Sequence, residues 1–171
     1  MRRSALIILL LFSASVAIGQ YSAFSSQHSF RYSASPGFVN VTELSSFGFG
    51  NVEHKTPKEV FENYFTENKP VIFNFHGYPE VIRAMLFGRG DTTRFSVHGY
   101  VENGSTTTPF DMHIRNGTSR YQIAIEVLDK MATRGVIERK KADELISDLN
   151  NRIKEHREYI IKNGEDPVEV Q

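Results

Sequence analysis

The order of hydrophobic and polar positions along this chain predicts strands that alternate with amphipathic helices. Residues 38–44 alternate apolar and polar side chains, the period-two pattern of a strand. Residues 70–75 run almost without a polar interruption, which suits a strand covered on both faces. Residues 95–100 form a further candidate strand, and Met112, His113 and Ile114 are read as one more short extended piece. Helices fill the intervals. Thr56, Pro57 and Glu59 make a helix start, with a capping hydroxyl, a proline at the first helical position and a carboxylate reaching back. Val60, Phe61, Tyr64 and Phe65 then share one face, and Pro79 opens a second helix carrying Val81, Ile82, Met85 and Leu86. Tyr121, Ala124, Ile125, Leu128 and Met131 recur at helical spacing up to Gly135. Leu145, Ile146, Leu149, Ile153 and Ile160 mark a longer helix over residues 138–162, expected to pack on the sheet and stopped by Asn163-Gly164. The fold class that follows is α/β, with a mixed, mostly parallel sheet and flanking helices.

The first 37 residues follow another pattern. Arg2 and Arg3 precede an apolar run from Ala5 to Phe12, and small residues at Ala17 and Gly19 follow, which is the layout of an export leader over residues 1–19. The run is short of the roughly 20 apolar residues that span a bilayer. A buried first strand or helix is the competing reading, and the two arginines beside Met1 argue against it. Residues 20–37 are Ser-rich, without a helical or strand period, and close on Pro36-Gly37, so they read as a flexible spacer before a domain at 38–171.

Composition narrows the chemistry. Lys plus Arg and Asp plus Glu balance at 20 each, so no overall positive field recruits nucleic acid or anionic lipid. There is no cysteine, which removes disulfides, thiolate catalysis and cysteine zinc sites. Two places remain as candidates for a contact or anion site. His76, Gly77 and Tyr78 follow a buried strand, where open α/β sheets bind ligands. Thr106, Thr107 and Thr108 follow Gly104 in a hydroxyl-rich loop that lacks the Gly-Lys-Ser/Thr of a phosphate loop. Such loops more often satisfy their own backbone, and a lone turn histidine is more often structural. His98 and His113 lack zinc-helix spacing and read as surface or strand residues, and Gly88-Arg89-Gly90 reads as a turn. The charges over residues 138–158 read as a solvated helix face, with Asp148–Arg152 and Lys154–Glu158 as i, i+4 pairs. Asn40, Asn103 and Asn116 each head a glycosylation triplet.

Three segments, taken together, carry a resemblance. They are residues 69–79 (KPVIFNFHGYP), residues 98–112 (HGYVENGSTTTPFDM) and residues 156–166 (HREYIIKNGED). In order and spacing they resemble the C-terminal domain of the phosphoketolases over about three quarters of the chain, with Asn116 and Arg120 also in matching positions. The resemblance implies a family that uses inorganic phosphate to cleave xylulose 5-phosphate or fructose 6-phosphate to acetyl phosphate and a shorter aldose phosphate. It further implies that thiamine diphosphate, magnesium and the catalytic residues lie in two larger N-terminal domains, while the third domain supports the dimer and the architecture. No catalytic, cofactor-binding or metal-binding residue is carried over to this chain, and no cofactor is expected on this chain alone. The fold implied is transketolase C-terminal-domain-like. Because residues 1–37 stand where the family has its first strand and helix, both are expected to be missing, which leaves an exposed sheet edge. The partners expected are phosphoketolase N-terminal domains, with which a split lyase would be active, or self-association through that edge, with no nucleic acid and no membrane after leader removal. An exported binding protein that reuses the domain is the alternative reading. Localisation divides the same way: exported if the leader is real, cytoplasmic by resemblance.

Overall fold

A computed structural model of the chain describes residues 7–11, 37–39, 58–102, 104 and 106–170. The elements in order are β1 (Ile7–Leu11), β2 (Gly37–Val39), α1 (Lys58–Phe65), β3 (Val71–Phe75), α2 (Pro79–Leu86), β4 (Phe95–Gly99), α3 (Pro109–Arg115), α4 (Arg120–Thr133) and α5 (Arg139–Asn163). All described strand pairs are parallel, in the order β2-β1-β3-β4. Mixed α/β architecture with flanking helices is what the alternating pattern predicts. Residues 40–44 of the first expected strand and the Thr56-Pro57 helix start lie outside the described residues, as does nearly all of the Ser-rich spacer.

Side chains of β3 alternate between two helical layers, as the strand pleat requires. Val71 and Phe73 meet α1 and α2 in a core with Phe61, Phe65, Ile82, Met85 and Leu86. The Phe65 and Phe73 ring centroids are 5.6 Å apart, and Phe95 of β4 closes on Phe73 edge-on, also at 5.6 Å. Tyr64, expected on the same helix face, is instead exposed. The open end of α1 is sealed from a distance. Arg94 donates to the carbonyls of Phe65, at the end of the helix, and of Thr66 and Lys69 just beyond it, at 2.8–2.9 Å. Ile72 points the other way, into a cluster with Ile123, Val127 and Met131 of α4.

Three expectations are corrected. Met112, His113 and Ile114 belong to helix α3, because Thr108 caps it and Pro109 starts it. The α5 stripe packs chiefly on α4 and α3 rather than on the sheet: Leu149 and Ile153 rest against Phe110, Ile114 and Tyr121, and Leu145 is exposed. Lastly, the sheet does not lack a strand in its middle. Ile7–Leu11, the centre of the leader-like run, lies between β2 and β3 and pairs with both. Five successive aliphatic residues suit a strand with neighbours on both sides. The covering helix expected to be missing falls on residues outside those described.

Candidate functional site

The candidate turn and the candidate loop both follow strands at the C-terminal end of the sheet. The backbone N–H of Tyr100 donates to the carbonyls of Phe75 (3.2 Å) and Gly77 (2.8 Å), tying the exit of β4 to the turn after β3. Only glycine fits at position 99, since a Cβ there would stand 2.3 Å from Pro79 Cδ and 2.6 Å from the Gly77 oxygen. That close approach lets the His76 ring stack on Tyr100, with centroids 4.5 Å apart and planes 17° from parallel. α3 brings a third ring, His113, to 5.9 Å from His76 and 5.4 Å from Tyr100. His113 Nδ1 shares a hydrogen bond of 2.9 Å with the Thr118 hydroxyl. Burial, and then the neighbouring His76, push its pKa down, with Asp166 opposing. Gly77 lies at the bend, and Tyr78 stays exposed and precedes α2.

The threonine loop is organised around Asp111, which is 4% exposed. Thr108 caps α3, its hydroxyl accepting from the Asp111 N–H, and Thr107 donates its hydroxyl to Asp111 Oδ2 at 2.7 Å. Arg115 Nε donates to Asp111 Oδ2 at 2.5 Å, while Arg157 Nε, from α5, stands 3.7 Å from Oδ1. Burial raises the Asp111 pKa, but Thr107 and Arg115, with Arg157 behind them, outweigh it and hold the carboxyl below its ordinary value. Thr106, Thr107 and Thr108 line a groove of about 610 Å³ with Asp111, Arg115 and Arg157. His76, Gly77 and Tyr78 do not line it. α3 therefore links the two candidate places without merging them: its first turn belongs to the groove and its His113 to the stacked rings.

A further polar cluster escaped the sequence reading. His98 of β4 places Nε2 2.5 Å from Glu126 Oε2 of α4, and Lys130 Nζ is 3.2 Å from the other oxygen. Burial pushes Glu126 up, yet hydrogen bonds from His98 and Ser96 and the charge of His98 overcome it and bring the carboxyl down to about 2. His98 and Glu126 are 28 positions apart, so no motif announces them. Of the three glycosylation triplets, Asn103 and Asn40 lie outside the described residues. Asn116 is structural. Its Oδ1 accepts from Val101 N–H at 3.0 Å, and its Nδ2, the atom a glycan would take, donates to Met112 O at 2.9 Å.

No group of three His, Asp or Glu side chains among the described residues converges as a metal site. Asp111 is engaged by arginines, and Glu126 by His98 and Lys130. No described helix is long and apolar enough to cross a membrane.

Comparison with known proteins agrees with the motif reading. A family model described as the XFP C-terminal domain matches residues 35–171. "Probable phosphoketolase" of Brucella abortus is 36% identical over 134 residues, which is 78% of this chain and 16% of the relative. "Probable phosphoketolase 2" of Nostoc sp. is 36% identical over 135 residues, covering 77% of this chain and 16% of that protein. "Probable phosphoketolase" of Bradyrhizobium diazoefficiens is 38% identical over 137 residues, again 78% and 16%. The chain thus spans about a sixth of the length of these curated relatives. With the segments at residues 69–79, 98–112 and 156–166 all inside the matched region, this chain belongs to the phosphoketolase family and corresponds to its C-terminal domain.

Proposed function

We propose that the chain acts as an assembly module of a phosphoketolase, a C-terminal domain that docks on the family's larger N-terminal domains and performs no chemistry by itself. In that reading the complete enzyme cleaves xylulose 5-phosphate or fructose 6-phosphate with inorganic phosphate, a lyase reaction on thiamine diphosphate and magnesium held elsewhere. The observation that supports it best is the match of the family's C-terminal-domain model to residues 35–171. The engagement of Asp111 and Glu126 within the fold points the same way, since neither is left to hold a cation. The stacked His76 and Tyr100 rings and the threonine groove then serve as contact surface rather than as a catalytic centre. By the same resemblance the chain works in the cytoplasm.

Two measurements test this. Calorimetric titration with thiamine diphosphate and magnesium, followed by an acetyl phosphate assay on a ketose phosphate, is expected to give neither binding nor turnover. Pull-down against the N-terminal domains of a phosphoketolase is expected to retain the chain. Saturable micromolar cofactor binding with turnover overturns the non-catalytic reading, and failure of the pull-down overturns the docking.

A further inference from the structure

The threonine groove holds a cationic pair that the fold does not use up. Arg115 of α3 and Arg157 of α5 approach different oxygens of the buried Asp111 carboxylate, Oδ2 at 2.5 Å and Oδ1 at 3.7 Å. One carboxylate thus gathers two guanidiniums from separate helices, and two positive charges meet one negative. The two arginine side chains remain 47% and 50% exposed. Arg115 commits only Nε to a hydrogen bond, and Arg157 stands beyond hydrogen-bond length. The other N–H groups of both forks have no partner among the described residues. Thr106, exposed on the loop beside them, adds a hydroxyl that is likewise unengaged there. Ile161, 82% exposed, gives the same groove an apolar wall.

Two further carboxylates line the groove and limit what it takes. Asp166 is drawn to the start of α3, where its Oδ2 accepts from the Phe110 N–H at 3.1 Å. Glu165 is exposed and opposes any anion. An occupant must therefore gain more from the two guanidiniums than it loses to Glu165. A carboxylate has a single charge and acceptors in one plane. A phosphate monoester carries roughly −1.5 to −2 at pH 7 and three acceptor oxygens, enough to meet Arg115, Arg157 and the Thr106 hydroxyl together. We propose that the groove is a binding site for a phosphate group, free or as a small monoester, clamped between Arg115 and Arg157. The site holds its ligand without chemistry, so it goes beyond the docking role and does not depend on it.

Calorimetric titration of the full chain tests this, in phosphate-free buffer with ionic strength held by sodium chloride. Inorganic phosphate and glycerol 3-phosphate are each expected to saturate a single site. Either order of affinity supports the site: tighter binding of glycerol 3-phosphate assigns it to a monoester, and equal or tighter binding of the free ion assigns it to inorganic phosphate. Arg157→Gln is expected to weaken both ligands at least about tenfold, the scale of a hydrogen bond to a charged group. Arg152→Gln, on the same helix but outside the groove, is expected to change neither. Glu165→Gln has the opposite sign and is expected to tighten both, and it decides the matter should Arg157→Gln fail to fold. Absence of saturable binding, undiminished binding by Arg157→Gln, equal loss in Arg152→Gln, or a Glu165→Gln chain that binds no more tightly overturns the proposal. These readouts are separate from the pull-down, so the phosphate site and the docking can each fail alone.

Discussion

The face of the sheet under α1 and α2 and the face under α4 are built from the same two strands, yet they hold different chemistry. On the first, Val71, Phe73, Phe95 and Val97 pack in an apolar core edged by Arg94 over the Phe95 ring, and Phe61, Phe65 and Phe73 are no more than 2% exposed. On the second, Ile72 sits among aliphatic residues, while Ser96 and His98 reach Glu126, and Asn74 donates to the Thr118 carbonyl. The alternation of a strand makes this separation automatic, since each substitution changes one face only. What the difference teaches is a division of labour. One face supplies stability, and the other fixes the orientation of α3 and α4, and with them the histidine rings and the groove.

Substitutions sharpen that contrast, from the largest effect downward. Phe73→Ala empties the centre of the aromatic core and should cost about 3–5 kcal/mol in urea denaturation. Glu126→Gln weakens a charged contact on the other face and should cost about 2 kcal/mol at neutral pH. That second effect carries a pH signature. The Glu126 carboxyl is held at about 2, below its ordinary 4.5. Its contribution is therefore complete above pH 4.5 and lost as pH falls toward 2. The melting curves of Glu126→Gln and the natural chain should converge over that window, and parallel curves would show that the contact with His98 carries no stability. Leu149→Ala, in the half-covered layer between α5 and α3, should cost about 1–2 kcal/mol, toward the low end for a core leucine. Arg152→Ala breaks the solvated pair with Asp148, at 3.0 Å on α5, and should change stability by less than about 0.5 kcal/mol.

The aromatic face was legible in the sequence because its signals are local. Phe61 and Phe65 lie one helical turn apart, and the apolar run at residues 70–75 marks its own strand. Helix α5 was legible in extent, including its stop at Gly164, whose φ of 74° is the left-handed cap that glycine provides. Its seat was not legible, since an apolar stripe shows that a face is covered and not by what. The candidate site divides in the same way. His76 stood out by its place after a buried strand, but its partners Tyr100 and His113 arrive from two other elements. His113 was misplaced together with α3, where three residues of mixed polarity gave no usable period. Arg115 meets Asp111 as a local i, i+4 pair on α3, but Arg157 reaches it from α5, a contact that only tertiary folding creates.

Asn116 has a consequence for how this protein ages. Asn-Gly sequences deamidate when the backbone nitrogen of the glycine swings round to attack the asparagine side-chain carbonyl. Here that nitrogen is committed to Ile114 O at 3.2 Å, and both ends of the Asn116 amide are held. The turn is closed against its own succinimide, so the reaction has to wait for the end of α3 to open. Conversion at Asn116, followed by peptide mapping of stored protein, should therefore track local opening, slow in the folded chain and fast in urea, with each converted molecule exchanging the donor to Met112 O for a second carboxylate oxygen.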